Sequence, residues 1–100
     1  MYIAMNRFQI KKGRENDFEK IWKGRETRLD DVSGFQEFHL IKGETEETHT
    51  LYVSHSTWKS KEDFIYWTRS DAFRKAHEGG GEQRDVYLGH PIFEGFEVII

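Results

Sequence analysis

The sequence predicts an α+β fold with its elements in the order β-α-β-β-α-β. A change of period along the chain indicates this order. Residues 2–10 alternate their side chains between two faces, as a strand does, whereas residues 14–29 place apolar side chains three or four positions apart, as an amphipathic helix does. Two more strand-like segments, a second helical stretch and a last strand follow.

The first half of the chain supplies three strands and one helix. The strand over residues 2–10 ends at a turn over residues 11–13. One face of the predicted helix is formed by Phe18, Ile21, Trp22, Arg25 and Leu29. Ser33 and Gly34 end this helix, and the strands predicted over residues 35–42 and 49–58 flank a hairpin-type connection.

The second half of the chain supplies a helix that we expect to be broken in two. Ser60 is followed by acidic residues, which predicts the N-cap of a helix that continues to Thr68. Ser70 predicts a second cap, and the short helix after it carries Phe73, Ala76 and His77 on one stripe. Glycines at 79–81 end it, and a loop over residues 82–91 leads to a strand over residues 92–100.

This order of elements is that of a ferredoxin-like domain, in which two helices pack on one face of an antiparallel sheet. We expect a single domain over residues 1–100. Apolar side chains occupy both faces of the strands, so the face without helices predicts an interface, and a homodimer is the simplest solution. Tyr52 and Trp58 are expected on this helix-free face, beneath a second subunit.

The composition excludes several classes of protein. The chain has 100 residues, a formal net charge of −3 and no cysteine, which excludes disulfide scaffolds and thiolate metal sites and argues against a nucleic-acid partner. It contains no apolar run of membrane-spanning length and no secretory leader, so we expect a cytoplasmic protein without a membrane partner. Aromatic residues make up 15% of the chain, so either the core is unusually aromatic or some rings contact a molecule outside the monomer.

Three side chains are candidates for chemistry, and each has a structural alternative. Asn6 takes a mid-strand position where an apolar residue is expected, so its amide is either satisfied by water or donates into a pocket. Trp67 either packs in the core or lines a site. His77 either interacts with the dipole at its helix end or serves as an axial ligand to iron.

Three segments of the chain resemble the IsdG-like heme-degrading monooxygenases of the antibiotic biosynthesis monooxygenase superfamily. These are residues 5–8 (MNRF), 57–67 (TWKSKEDFIYW) and 70–77 (SDAFRKAH). Residues 90–98 (HPIFEGFEV) are similar to the branch found in Gram-negative bacteria with heme-uptake systems. The resemblance covers nearly the whole chain.

The resemblance implies a dimer of ferredoxin-like subunits whose sheets form a barrel, with one heme per subunit between sheet and helices. Heme is then both substrate and cofactor, used with O2 and an external electron donor from an unidentified reductase. His77 is the implied ligand to the heme iron, Asn6 donates a hydrogen bond toward oxygen on the other side, and Trp67 crowds and buckles the porphyrin.

Spacing along the second helix bears on this assignment. On one continuous helix the ten residues from Trp67 to His77 rotate by about 1,000°, which leaves the two side chains roughly 80° apart. The predicted break at residues 68–70 allows the second part to reorient. Arg25, on the inner stripe of the first helix, either binds a heme propionate or extends along the rim of the site.

Two other functions remain open from the sequence. One is a heme-binding carrier that does not degrade its ligand. The other is a cofactor-free monooxygenase of the same superfamily that acts on an aromatic or quinol-like substrate. Hemin binding distinguishes a heme-degrading enzyme from the cofactor-free monooxygenase. Turnover with a reductant distinguishes it from the carrier.

Overall fold

The computed structural model describes residues 1–25, 29–76 and 85–100. The strands are β1 (Tyr2–Lys11), β2 (Phe35–Thr45), β3 (His49–Trp58) and β4 (Ile92–Glu97). The helices are α1 (Glu15–Lys23), α2 (Lys61–Thr68) and α3 (Asp71–Ala76), with a 3-10 turn at Leu29–Asp31. Within these ranges, each helix is too short or too polar to cross a bilayer.

The four strands form one antiparallel sheet in the order β2-β3-β1-β4. The central pair, β1 and β3, is in register from Tyr2 opposite Trp58 to Lys11 opposite His49. The edge strand β2 pairs with β3, its hairpin neighbour, and the edge strand β4 pairs with β1, and both pairings are antiparallel. This architecture confirms the predicted α+β, ferredoxin-like fold.

The two predicted caps of the second helical region are present. The Ser60 hydroxyl accepts a hydrogen bond from the Asp63 N–H at 3.2 Å, and the Ser70 hydroxyl accepts one from the Phe73 N–H at 3.2 Å. α2 ends at Thr68 and α3 starts at Asp71. The residues between them carry the cap of the second helix.

Several element ends differ from the prediction, and β2 runs to Thr45 where residue 42 was expected as its end. α1 ends at Lys23 and is capped by Gly24, so the prediction that Arg25 and Leu29 lie on its inner face is wrong: Arg25 follows the cap, and Leu29 lies in the 3-10 turn and is buried there. The last strand stops at Glu97 and not at residue 100, because Glu97 is already opposite Tyr2, the first residue of β1. A strand cannot extend a ladder beyond the end of its partner.

The prediction that Tyr52 and Trp58 lie on the helix-free face is wrong. Directly opposed residues of an antiparallel pair point to the same face. Tyr52 is opposite Phe8 and Trp58 is opposite Tyr2, and all four rings are buried beneath the helices. Alternation defines two faces for each strand, but only the packing of the helices decides which face is covered. The exposed apolar residues of the other face are Ile41, Ile92 and Phe96.

Apart from Val53, the buried hydrophobic residues of the described chain form two clusters on the helix-covered face. One joins α1 to the sheet and contains Phe8, Ile10, Phe18, Tyr52 and Val86. The other lies beneath α2 and contains Tyr2, Ala4, Leu29 and Trp58. Because both clusters contain residues of β1 and β3, the space between the clusters lies above the middle of these two strands.

The Tyr52 phenol generates a prediction about pH. Its hydroxyl donates to Glu19 Oε2 at 2.6 Å, and burial, followed by this hydrogen bond, raises the pKa of Tyr52 above its usual value. The wild type therefore holds an advantage over Tyr52→Phe of about 1 kcal/mol in unfolding free energy below pH 10. As the pH rises above about 10 the unfolded chain ionises first, so this advantage should shrink and then disappear. Urea unfolding at pH 8, 10 and 11 measures the difference, and a difference that does not change with pH would contradict the assignment.

Candidate functional site

A cavity of about 340 Å³ separates the helices from the central strands of the sheet. Its lining comes from every strand, from all three helices and from the segment after α1. Its lining includes Ala4, Asn6, Trp22, Arg25, Phe38, Ser54, Ser56, Phe64, Trp67, Phe73 and Phe93. A cavity of this size is within the range of small-molecule sites.

The floor of the cavity exists because four small side chains interrupt a face of large rings. Ala4 is opposite Ser56 and Asn6 is opposite Ser54 on the two central strands. On either side of them the same face carries Tyr2 and Trp58, and Phe8 and Tyr52. Interiors otherwise fill such space with side chains, so this group of small residues produces a void above the middle of the sheet.

The α2 side of the cavity is a group of interlocked aromatic rings. Trp67 lies 4.8 Å from Phe73 at an angle of 88° and 5.4 Å from Trp58 at 32°. Phe64 stacks on Phe93 of β4 at 5.5 Å and 6°. Edge-to-face and offset-stacked pairs are favourable arrangements for rings. The Trp67 ring is therefore held in place from two sides and presents a rigid surface to the cavity.

The α1 side of the cavity is a layered stack that ends in a positive charge. Trp22 stacks on Phe38 with ring centroids 5.6 Å apart and an angle of 22°. The Arg25 guanidinium lies 4.5 Å from the Trp22 ring centroid, within range of a cation–π interaction. In the part of the chain that the structure describes, no acidic side chain forms an ion pair with Arg25. Within those residues its charge is not neutralised by a carboxylate.

The polar groups of the floor differ in how they are satisfied. Ser56 Oγ accepts a hydrogen bond from Trp58 Nε1 at 2.9 Å and lies 3.4 Å from the Ala4 carbonyl, to which it donates. The side chains of Asn6 and Ser54 form no hydrogen bond with another residue of the described ranges. An amide and a hydroxyl are thus free to orient a ligand between two aromatic walls.

The structure brings three of the four predicted site residues into one cavity. Asn6 reaches it from β1, Trp67 from α2 and Arg25 from the segment after α1. His77 lies outside the described residues, and α3 ends immediately before it. Among the described residues, no group of three or more His, Asp or Glu side chains could hold a metal ion.

Sequence reasoning missed the serines of the floor and most of the aromatic wall. Ser54 and Ser56 occupy alternate positions of β3 between Tyr52 and Trp58, so two small polar residues stand where the face requires bulk. That interruption was a usable signal. The wall residues Phe38, Phe73 and Phe93 come from three distant segments, and only the assembled fold brings them together.

Comparison with known sequences gives matches over most of the chain. Residues 1–79 match the sequence profile of the family described as antibiotic biosynthesis monooxygenase. The chain is 34% identical over 80 residues to the heme oxygenase (staphylobilin-producing) of Staphylococcus saprophyticus, an alignment that covers 79% of this chain and 75% of that protein. It is 33% identical over 105 residues to the heme-degrading monooxygenase of Shouchella clausii. That alignment covers 99% of this chain and 92% of the other protein.

Comparison with solved structures shows the same fold. The structure of the heme-degrader MhuD from Mycobacterium tuberculosis, which has two hemes bound in its active site, superposes with a TM-score of 0.75. The match covers 100% of this chain and 97% of that chain at 24% sequence identity.

The two floor serines generate a paired prediction. Ser54→Val should raise the unfolding free energy by about 0.5–2 kcal/mol, because it fills part of the cavity and removes no hydrogen bond within the described chain. Ser56→Val should lower it by about 1–3 kcal/mol, because the buried Trp58 Nε1–H loses its acceptor. Urea denaturation followed by tryptophan fluorescence measures both, and equal destabilisation by the two substitutions would be inconsistent with this floor.

Proposed function

Because the chain belongs to the antibiotic biosynthesis monooxygenase family, we propose that it is an enzyme of the heme-degrading branch of that family. It opens the porphyrin of heme with O2 and reducing equivalents, and it releases iron and a linear tetrapyrrole. Relatives with 34% and 33% identity carry out heme degradation by their descriptions, and the chain spans 75% and 92% of their lengths. Heme enters this reaction as substrate.

One observation carries the proposal beyond the family. The cavity is walled on both sides by large rings, Trp67 with Phe73 on one side and Trp22 with Phe38 on the other, while its floor is made of small side chains. A wide, flat, apolar molecule fits such a space, because one of its faces can lie over the floor, where Asn6 is, while the rings surround its edges. An apolar, aromatic lining with a few polar groups suits the ring of a porphyrin.

Heme supplies the iron at which oxygen is activated, and the chain supplies the surroundings that direct it. Asn6 presents an amide NH2 from the floor. Its backbone is paired in the middle of the central strands, so the position of the amide is fixed when a ligand binds. A donor fixed in this way stabilises negative charge that develops nearby, since it needs no reorganisation during the reaction.

Trp67 acts by its bulk and its rigidity. Contacts with Phe73 and Trp58 prevent the indole from moving away when a ligand presses on it. A flat ligand that exceeds the available width must then bend, and distortion of the macrocycle is one of the ways a protein changes heme reactivity. His77, the residue after α3, is proposed as the axial ligand, and Arg25 as a partner of a propionate carboxylate.

The enzyme is proposed to act as a homodimer in the cytoplasm, where a reductase supplies electrons. The helix-free face of the sheet exposes Ile41, Ile92 and Phe96 by 46%, 60% and 45%. Large apolar side chains on one continuous face are typical of a protein–protein interface. A second copy of the chain provides a complementary face by symmetry.

The reaction itself provides the direct test. Hemin added to the purified chain should give a shifted Soret band that bleaches when ascorbate is added in air, and mass spectrometry should then detect a linear tetrapyrrole. A Soret band that persists with every reductant tested identifies a heme carrier. Absence of hemin binding favours the cofactor-free monooxygenase.

The role of Asn6 separates binding from turnover. Asn6→Ala should leave the hemin dissociation constant within about threefold of wild type, because apolar contacts dominate binding. The rate of Soret bleaching should fall by about 100-fold, because a fixed donor is lost. Asn16→Ala, a change of the same size on the exposed side of α1, is the matched control and should have no effect. A parallel loss of affinity and rate in Asn6→Ala would assign this residue to binding alone.

The role of His77 is testable by chemical rescue. His77→Ala should abolish the hemin spectrum typical of an imidazole ligand, and added imidazole should restore it, because the free ring occupies the vacated position. His90→Ala, in the segment before β4, serves as the control histidine. An unchanged spectrum in His77→Ala would overturn this ligand assignment without affecting the cavity.

A further inference from the structure

A second groove adjoins the cavity on the other side of the Trp22–Phe38 stack. It has a volume of about 490 Å³ and shares Trp22, Arg25 and Phe38 with the cavity. Its remaining lining consists of Glu19, Lys23, Leu40, Lys42 and Tyr52, from α1 and from the two strands β2 and β3. The stacked pair is therefore the boundary between two adjacent spaces.

The charge of this groove is opposite to that of the chain as a whole. The chain has a formal net charge of −3, whereas the groove has three cations, Lys23, Arg25 and Lys42, and a single carboxylate, Glu19. That carboxylate already accepts a hydrogen bond from the Tyr52 hydroxyl at 2.6 Å. None of the three cations forms an ion pair with an acidic side chain in residues 1–25, 29–76 or 85–100.

Beneath these charges the groove is apolar and aromatic. Leu40 and Tyr52 form its base, and Lys42 Nζ lies 6.0 Å from the Tyr52 ring centroid. Lys42 comes from β2, Lys23 from the last turn of α1 and Arg25 from the segment after it, so the cations border the groove from two sides. An occupant that satisfies both features has an alkyl portion and an anionic end, which is the chemistry of a carboxylate side chain.

We propose that this groove is the carboxylate subsite of the enzyme, and that Lys42, assisted by Lys23, selects tetrapyrroles with free carboxylates. The inference rests on the proposed function, because it places the ring of the substrate in the cavity. The two carboxylate arms of heme leave one edge of the macrocycle. With that edge against the Trp22–Phe38 boundary, the arms extend into the groove and reach the ammonium groups.

The subsite is tested by binding, without turnover. Iron(III) protoporphyrin IX and its dimethyl ester, in the same mixed solvent, are titrated into wild type, Lys42→Gln and the Lys23→Gln/Lys42→Gln double variant, with quenching of tryptophan fluorescence as the readout. Lys20→Gln removes the same charge from the same helix as Lys23 without touching the groove, and it is the matched control.

The free acid should bind Lys42→Gln about three- to tenfold more weakly than wild type, and the double variant more weakly still. The ester should bind all four proteins equally, because it has no charge for the lysines to recognise. A free-acid affinity that is the same in Lys42→Gln and Lys20→Gln overturns the subsite, as does an ester that loses the same factor as the acid. Failure of the wild type to bind either compound overturns the proposed function, and this subsite with it.

Discussion

The register between β1 and β3 is the constraint on which the site depends. It sets Ala4 opposite Ser56 and Asn6 opposite Ser54, so four small side chains meet at the centre of the helix-covered face. A shift of one residue would turn each of these side chains to the other face. The large rings of Phe8 opposite Tyr52 fix the register from one end. The same pairing that forms the core therefore positions the cavity next to it.

A void of this size lowers stability unless its walls resist collapse. Here the walls are rings in contact with other rings, and each ring touches partners from a different element. Trp67 is held by Phe73 of α3 and Trp58 of β3, and Trp22 by Phe38 of β2. Rings have few rotatable bonds and lose little entropy on ordering, so they suit a cavity that must stay open without a ligand. The same rigidity gives Trp67 the resistance that distortion of a bound macrocycle requires.

The sequence predicted the elements and the caps well because those depend on neighbouring residues. Ser60 and Ser70 cap their helices through bonds that span three positions, so both were recognisable without tertiary structure. The covered face of the sheet was not recognisable in this way. Tyr52 and Trp58 were assigned to the wrong face, because alternation is symmetric between the faces and the helices that break the symmetry are distant in sequence.

The candidate site was predicted only where a residue type conflicted with its surroundings. Asn6 in an apolar strand face was such a conflict, and the structure places it in the cavity. Phe38 and Phe93 produced no such conflict, because an aromatic residue is common in a strand. They line the site because β2 and β4 are the edge strands of the sheet beside it.

The aromatic residues of the chain have two structural roles, which the composition alone could not distinguish. Some rings, such as Phe18 and Tyr52, fill the core, with centroids 4.9 Å apart. Others, such as Trp22, border open space, and Trp22 borders two spaces at once. A ring can do this because its two faces are equivalent and apolar while its edge makes the packing contacts. An aliphatic side chain of similar volume would need contacts all around it to fill space as well. The rings that line the cavity therefore add to those that fill the core.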